Sequence, residues 1–576
     1  MADRDARAMR SIKRWEMRKG ERGTFESHWQ EIANLMQPDR ADYLVKRSPG
    51  MKRMESVFDS TPIWAIEMLA SGLHSLLVSP YLRWFTLQTE SNGLNRQDSV
   101  LLWLEAASDA MYSIFNSARH NFAAQSYELF VDQAGPGTAC MGVLESPRSG
   151  ILFSTRPLQE VVIGENEEDR VDSVTRQWTY TAGQAWDAWG KAAGPSVEKA
   201  MADGKEDAPF TFLHDVGPRR DRDPQRRDRK NKPFQSLYVS LDDGTVIGDE
   251  GGFDEFPFLV PRFRKNASET WGRSPSTTAL PDVKMLNELM RMVLKGAQKL
   301  IDPPLQMPDA GFLMPIKTYP GSLNYYRAGS RDRIEPIETK GQPQLGLDMI
   351  QALRQQILKT FYVEWLVMPS DMTDPASSGK GVTATWVLQQ RDEKMRMLSP
   401  MLARQQLEFL GPLIDRVFAI LWRKSIALRF GPGSPFPPPP PELSWVPLRV
   451  EYVSPIAVAQ KTSEMDSTNR LIQLATSLVP ICPQVGGLLD SEAILRTGGR
   501  ILNAPPALIK SPEQIQQETQ AAAQAQAQMN AHAQVANLAG AAQDATGALK
   551  NLSQAGIGAG GQQAQGAPGA QQSEAA

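Results

Sequence analysis

The feature that most constrains this chain is an amphipathic helix that ends on a double proline and is answered by a second helix about forty residues later. Between Ser276 and Ile301, Leu286, Met290, Val293, Ala297 and Leu300 recur at helical spacing, while Lys284, Glu288, Arg291, Lys295 and Lys299 fall on another face. Asp302-Pro303-Pro304 stops that helix. Residues 302–344 are short apolar runs broken by Pro308, Pro315, Pro320 and Pro336, which suits a small β-and-loop module. Residues 345–368 then repeat the helical pattern with Ile350, Leu353, Ile357, Phe361 and Trp365. The expectation is a helical hairpin with a folded tip.

The rest of the chain is arranged around that hairpin. Residues 1–275 begin with helices, to about Glu145, and continue to about Phe258 as a β-containing part, with Asp242-Asp-Gly244 as a turn signal. Inside the β part, 218–232 is dense in arginine but carries Asp221, Asp223 and Asp228; a solvated loop is the favoured reading over a DNA patch. After the hairpin comes a polar loop at 369–381, then a long helical stretch at 382–428. If continuous, that stretch spans about 65–70 Å at 1.5 Å per residue, with kinks expected at Pro400 and Pro412. Residues 429–442 are a proline-rich linker whose run Pro437–Pro441 reads as a stiff spacer. Residues 443–514 form a last folded segment with a strand candidate at 448–453. From 515 to 576 the composition collapses to Ala, Gln and Gly, with no Phe, Trp or Tyr to build a core, and the tail is expected to be partly disordered. The fold class is therefore α+β, mainly helical.

Composition excludes more functions than it suggests. Net charge is −3 over 576 residues, so no whole-surface nucleic-acid binder is indicated. Two cysteines, Cys140 and Cys482, supply neither a disulfide framework nor a cysteine zinc site, and the five histidines lack ligand spacing. No metal site and no cofactor is expected. The charged N-terminus is not a secretory signal, and the most apolar helical stretch, Trp64–Val78, is too short to span a bilayer, so no membrane partner is expected. Ser377-Ser-Gly-Lys-Gly381 invites comparison with a phosphate-binding loop, but Asp374 stands at the first glycine position and Gly381 replaces the Ser or Thr after Lys380. Glu165-Asn-Glu-Glu-Asp169 reads as solvated surface, and no G-x-S-x-G elbow occurs. The chain is not expected to be an enzyme.

Several stretches, in one order from Asp59 to Gln460, resemble the portal or head-to-tail connecting proteins of short-tailed bacteriophages. They are Asp59-Ser-Thr-Pro62 with Met68–Leu73 and Leu77-Val-Ser-Pro80 through Phe85; Asn121-Phe122, Tyr127-Glu128 and Gly137-Thr138; Phe256-Pro-Phe258; Trp271-Gly-Arg-Ser-Pro275; Thr278–Asn287; Pro303-Pro304; Val382–Thr385; and Tyr452–Gln460. His120 stands where a serine is expected before Asn121, and near Trp271 the tryptophan itself fills the aromatic position.

The resemblance implies a portal fold with wing, stem, clip and crown regions, assembled as a ring, typically of twelve copies, around a central channel for double-stranded DNA. The wing would be residues 1–275 with the long helix 382–428; the stem helices 276–301 and 345–368; the clip 302–344; the channel loop 369–381; and the crown 443–514. Implied partners are double-stranded viral DNA held without sequence preference, the terminase motor, capsid and scaffolding proteins and tail or adaptor proteins. The implied setting is one capsid vertex of the virion, with assembly in the host cytoplasm. Candidate channel contacts are Lys284, Arg291, Lys295 and Lys299 on the first stem helix, Lys359 on the second, and Ser377, Ser378 and Lys380 in the loop. An intersubunit salt bridge competes with DNA for each stem residue. Two other functions stay open: an ATP-dependent DNA-packaging enzyme of terminase type, and an adaptor that offers Pro437–Pro441 to an aromatic groove.

Overall fold

A computed structural model describes residues 2–306, 335–337, 343–366, 398–443 and 448–452, apart from short gaps, and isolated positions beyond. Residues 1–502 form one compact unit and 503–576 a second; the fold below belongs to the first. It is a mixed helix-and-sheet structure, as its composition of periodic segments predicts.

The chain opens with α1 (Ala2–Met36), about 50 Å long at 1.5 Å per residue. Its inward face is sparse: Ala8, Ser11, Arg22, Trp29, Ile32 and Met36 are buried, and charged residues fill the rest. Next come α2 (Thr61–Leu77), β1 (Phe85–Thr89), α3 (Asp98–Asn116) and α4 (Phe122–Ala134). These helices share the main core with Phe85, Phe115, Phe122 and Phe130, whose rings meet edge-on or tilted. The N-terminal part is not wholly helical: β1 interrupts it, and Cys140–Ser146 is a strand, β2, paired antiparallel with β3 (Gly150–Arg156) and with β10 (Phe258–Leu259). Cys140 to Val143 are buried on both faces, so the alternation that marks a half-exposed strand is missing there.

The β part is an antiparallel sheet in the order β4 (Val161–Glu165), β5 (Val171–Thr181), β6 (Pro209–Pro218), β7 (Phe234–Ser240) and β8 (Thr245–Val246), with β9 (Gly251–Phe253) also on β7. Gly244, at φ +64, closes the turn expected at 242–244. Two short helices, α5 (Ala182–Trp189) and α6 (Pro195–Ala202), cover one end. Inside the sheet His214 is buried, stacked 4.1 Å from Tyr238, with Nε2 2.9 Å from Ser236 Oγ.

The hairpin follows: α7 (Pro275–Ile301), a two-residue ladder of β11 (Leu305–Gln306) with β12 (Glu335–Pro336), and α8 (Pro343–Thr360). The second helix is shorter than the pattern through Trp365 suggests. Tyr362 takes a left-handed φ of +59, and a new turn, α9 (Val363–Leu366), starts beyond it. Phe361 is fully buried and Tyr362 lies 6.4 Å from Phe263 in a stacked arrangement, so packing sets the break where neither Gly nor Pro announces it. Residues 369–381, expected as a channel loop, and 382–397, expected as the start of a long helix, lie outside the described residues. From 398 the helix runs into a π-helical segment, Gln406–Leu410, and then α10 (Gly411–Ala427). Pro412 has no N–H to give the preceding turn, and the widened turn before it absorbs the mismatch.

The proline run is tied at its first residue. Trp103 Nε1 donates to the Pro437 carbonyl at 3.0 Å, and Phe436 is buried among Trp103, Phe418 and Trp422. The aromatic groove that a free ligand would seek is this chain's own. Beyond it β13 (Leu448–Tyr452) returns to pair antiparallel with β1.

Burial, and then the charges of Arg176 and Arg156, push the His214 imidazole down to about 3. The unfolded chain takes up this proton near pH 6.5 and the folded sheet does not, so stability falls as pH drops below about 6.5 toward 3. Thermal midpoints measured between pH 7 and 4.5 should decline, and His214→Phe should flatten part of that decline, worth at most about 1.4 kcal/mol per pH unit. Parallel curves for the two proteins would remove His214 from this role.

Candidate functional site

The segment leading into α7 shows why its residues are what they are. Trp271 is buried edge-on to Trp29, 5.1 Å between ring centres. A Cβ on Gly272 would meet the Gly137 carbonyl oxygen at 2.4 Å, so only glycine fits. Ser274 is the N-cap, accepting from Thr277 N in a capping box, and Pro275 opens the helix where no N–H is required. Ser274 Oγ also donates to Gly135 O, Ser276 Oγ donates to Ala134 O at 2.6 Å, and Gly272 N donates to Thr138 Oγ1 at 2.8 Å. Gly137, at φ +95, lies against the backbone of Gly272, Arg273 and Ser274. Asp59 anchors the second helix: its carboxylate accepts from Thr61 N at 2.9 Å and from Arg354 Nε and Nη2 at 2.9 and 2.7 Å. Burial alone raises this carboxyl, but those bonds outweigh it and hold the group below its ordinary range.

The base of the pair is fixed by a buried guanidinium. Arg262 is 1 % exposed. It donates through Nη2 to Glu408 Oε1 at 2.8 Å and through Nε to Glu408 Oε2 at 3.2 Å, and through Nη1 it reaches Glu165. The carbonyls of Thr270 and Asp169 take further bonds at 3.1 and 3.0 Å. Burial alone lowers this group, yet the two carboxylates more than offset it and raise it. Lys265 adds a second cation 2.9 Å from Glu165. Within the stretch 165–169, Glu167, Glu168 and Asp169 are exposed as expected, whereas Glu165 is half-buried as an ion-pair partner, and the widened turn at Gln406–Leu410 carries Glu408 to the same guanidinium.

Above this base α7 and α8 run antiparallel. Gln356 bonds Asp282 at 3.1 Å near the base, and Gly346 faces Val293 farther out, where an added Cβ would meet Val293 Cγ2 at 2.9 Å. Burial fades outward along α7. Val283 and Leu286 are buried, Met290 and Val293 partly so, and everything from Leu294 to Ile301 is exposed. Leu300 and Ile301 are 61 % and 84 % exposed, and Met285 and Met292 lie seven residues apart on one exposed side. On α8, Leu347 and Met349 are exposed as well. The outer stripe expected from Ala297 and Leu300 has nothing of this chain against it among the described residues.

The eight candidate contacts divide. Lys284 ion-pairs with Glu31 of α1 at 2.7 Å, and Arg291 pairs with Glu288 one turn earlier. Lys295 and Lys299 are exposed on the outer part of α7 and Lys359 is exposed near the base of α8; none of the three makes an ion pair among the described residues. Ser377, Ser378 and Lys380 lie outside the described residues, as does the loop compared with a phosphate-binding loop. Arg262, Glu408 and Arg354 carry no sequence signal of their importance, because a buried arginine reads as an exposed one. No group of His, Cys, Asp or Glu side chains that could hold a metal ion occurs among the described residues, and no helix there is long and apolar enough to cross a membrane.

Comparison with known proteins places this geometry. The family of the bacteriophage head to tail connecting protein matches residues 8–509. The chain belongs to that family. It is 29% identical over 511 residues to the "Probable portal protein" of Bordetella phage BPP-1, covering 88% of this chain and 89% of that protein. The "Portal protein" of Salmonella phage epsilon15 is similar to the same degree, 29% over 517 residues, again 88% and 89%. The role is that of a structural connector, and the terminase reading is not favoured.

The Arg262 tie is testable. Arg262→Met takes the shared cation from Glu165 and Glu408 and leaves them Lys265 and Arg404 alone; breaking a fully buried pair costs about 3–5 kcal/mol, and these half-buried carboxylates should lose less than that. The apparent melting temperature should fall clearly, and fall less for Glu408→Gln, which keeps an acceptor. Unchanged melting of Arg262→Met would show that the tie is not structural.

Proposed function

We propose that this chain assembles into a ring, of twelve copies as the resemblance implies, whose α7–α8 pairs stand side by side as a stem around a passage for double-stranded DNA. The observation that carries this reading is the outer half of the pair. An antiparallel helix pair, fixed at its base by capping, Asp59–Arg354 and the Arg262 tie, exposes Met285, Met292, Leu294, Leu300 and Ile301 to water. Exposed apolar side chains on both sides of a helix pair call for cover by protein, and neighbouring copies of the same pair are the natural cover.

In this reading residues 302–344 form the clip, 369–381 the channel loop and 443–514 the crown, while 1–275 and 382–428 form the wing. The ring sits at one capsid vertex after assembly in the host cytoplasm. There it meets the terminase motor, capsid and scaffolding proteins, and tail or adaptor proteins. Lys295, Lys299 and Lys359, which make no ion pair among the described residues, are the stem cations available to DNA, with Ser377, Ser378 and Lys380 of the loop. Lys284 and Arg291 already have carboxylates and contribute less. Few free cations suit a conduit, because each phosphate contact releases counterions and tightens sequence-independent binding, and tight binding slows passage.

Negative-stain images of the purified protein should show rings with a central hole. Met292→Asp combined with Leu300→Asp should give monomers with unchanged circular dichroism, since both side chains are exposed in the single chain. Rings that survive the double substitution would move the interface elsewhere, and a strictly monomeric parent protein under assembling conditions would sink the ring. Lys295→Gln, Lys299→Gln and Lys359→Gln together should leave rings intact and lower the salt dependence of retaining linear DNA.

A further inference from the structure

The fifteen-residue connection between β6 and β7 is the most arginine-rich segment of the chain and has no part in the helix pair. Its sequence suggests that interspersed aspartates cancel its charge. The structure gives two of those aspartates another task. Asp223 Oδ1 accepts from Gln225 N at 3.0 Å, and Asp228 Oδ1 accepts from Asn231 Nδ2. Asn231 Oδ1 in turn accepts from Asp223 N at 3.0 Å, so the aspartates shape the loop by bonding its own N–H groups. Asp223 also stands 3.5 Å from Arg226.

The base of the loop is neutralised separately. Arg219 is buried on Glu250 at 2.5 Å, and Lys232 pairs with Asp254 at 2.9 Å. What remains at the tip is Arg220, Arg222, Arg229 and Lys230, all exposed and without an ion pair among the described residues; with Arg226 they outnumber the carboxylates of Asp221, Asp223 and Asp228, so the tip keeps a net positive charge. The tip also has no apolar or aromatic side chain apart from Pro224. A protein interface of ordinary size carries such anchors at its centre, with charged residues depleted there. A surface of guanidinium forks without anchors suits phosphate oxygens instead, gripped two at a time and without reading bases.

We propose that this tip is a second DNA-binding surface, separate from any passage through a ring, that holds the phosphate backbone of double-stranded DNA without sequence preference. It does not depend on the ring described above. A covalently closed circular duplex cannot thread a closed ring, whereas it can lie against an outer loop, so the two surfaces can be measured apart.

The full-length protein, in whatever oligomer it forms, is titrated with closed circular DNA over a range of salt. The parent should bind, and Arg220→Gln, Arg222→Gln, Arg229→Gln and Lys230→Gln together should reduce the slope of log affinity against log salt by about 3–4, near 0.9 for each lost phosphate contact. Asp221→Asn should tighten binding, which guards against a loss caused merely by a damaged loop. The proposal is overturned if the parent does not bind closed circles or if the fourfold variant binds them as well as the parent does. It is equally overturned if polyglutamate of matched charge competes as well as duplex DNA, since the tip would then be a site for acidic protein. Loss of linear-DNA retention by the stem variants alone would speak to the ring and leave this surface untouched.

Discussion

The structure depends on a guanidinium with no water to turn to. Arg262 leaves solvent on every side and meets five acceptor atoms on four residues: Glu165 at the end of β4, Asp169 in the turn after it, Thr270 in the bend before α7 and Glu408 in the widened turn before α10. No apolar side chain could do this, because contact between methyl groups has no direction, whereas a planar fork of N–H donors fixes both distance and angle. The buried cation is the costly member to leave unpaired: Glu165 and Glu408 are partly exposed and keep Lys265 and Arg404, whereas Arg262 has only these acceptors to replace water.

The same device recurs. Arg22 on α1 donates to the carbonyls of Leu158 and Gln159, joining the first helix to the start of β4. Arg416 on α10, 1 % exposed, donates to Glu255 at 2.6 Å, and Arg423 beside it also reaches Glu255 at 2.6 Å. Each joins a helix to the sheet region at a place where backbone carbonyls or carboxylates face inward and cannot otherwise be satisfied. A connector that carries load between helices and sheet gains from such joints, because they resist sliding, which apolar packing permits.

This explains which parts of the molecule could be seen in the sequence. Periodicity located α7 and the start of α8 to within a few residues because Val283, Leu286, Ile350, Leu353 and Ile357 face a core and the lysines do not. The turn at Gly244 and the strands β5 and β7 were legible because β-branched and aromatic residues alternate there. Strand β2 was not, since both of its faces are buried. The break at Tyr362 was not, since it is imposed by Phe263 from ninety-nine residues away. Periodicity puts Lys284, Arg291, Lys295 and Lys299 on one face of α7, but whether a lysine is already paired is a tertiary fact: Lys284 and Lys295 look alike in sequence and differ because Glu31 lies beside only one of them.

Arginine is ambiguous in a more general way. Composition treats every arginine as surface charge, yet here Arg22, Arg219, Arg262 and Arg416 are buried joints, whereas Arg220, Arg222 and Arg229 are exposed. Arg219 and Arg220 are neighbours in sequence with opposite fates. What separates them is the direction each side chain leaves the end of β6. Successive residues of an extended chain point to opposite sides, so Arg219 turns in to Glu250 while Arg220 turns out to water. What a segment offers to a partner is thus the part of its charge that its own fold leaves exposed and unpaired. At the β6–β7 tip that part is cationic, because the buried arginine has its own glutamate and the exposed cations still outnumber the three aspartates.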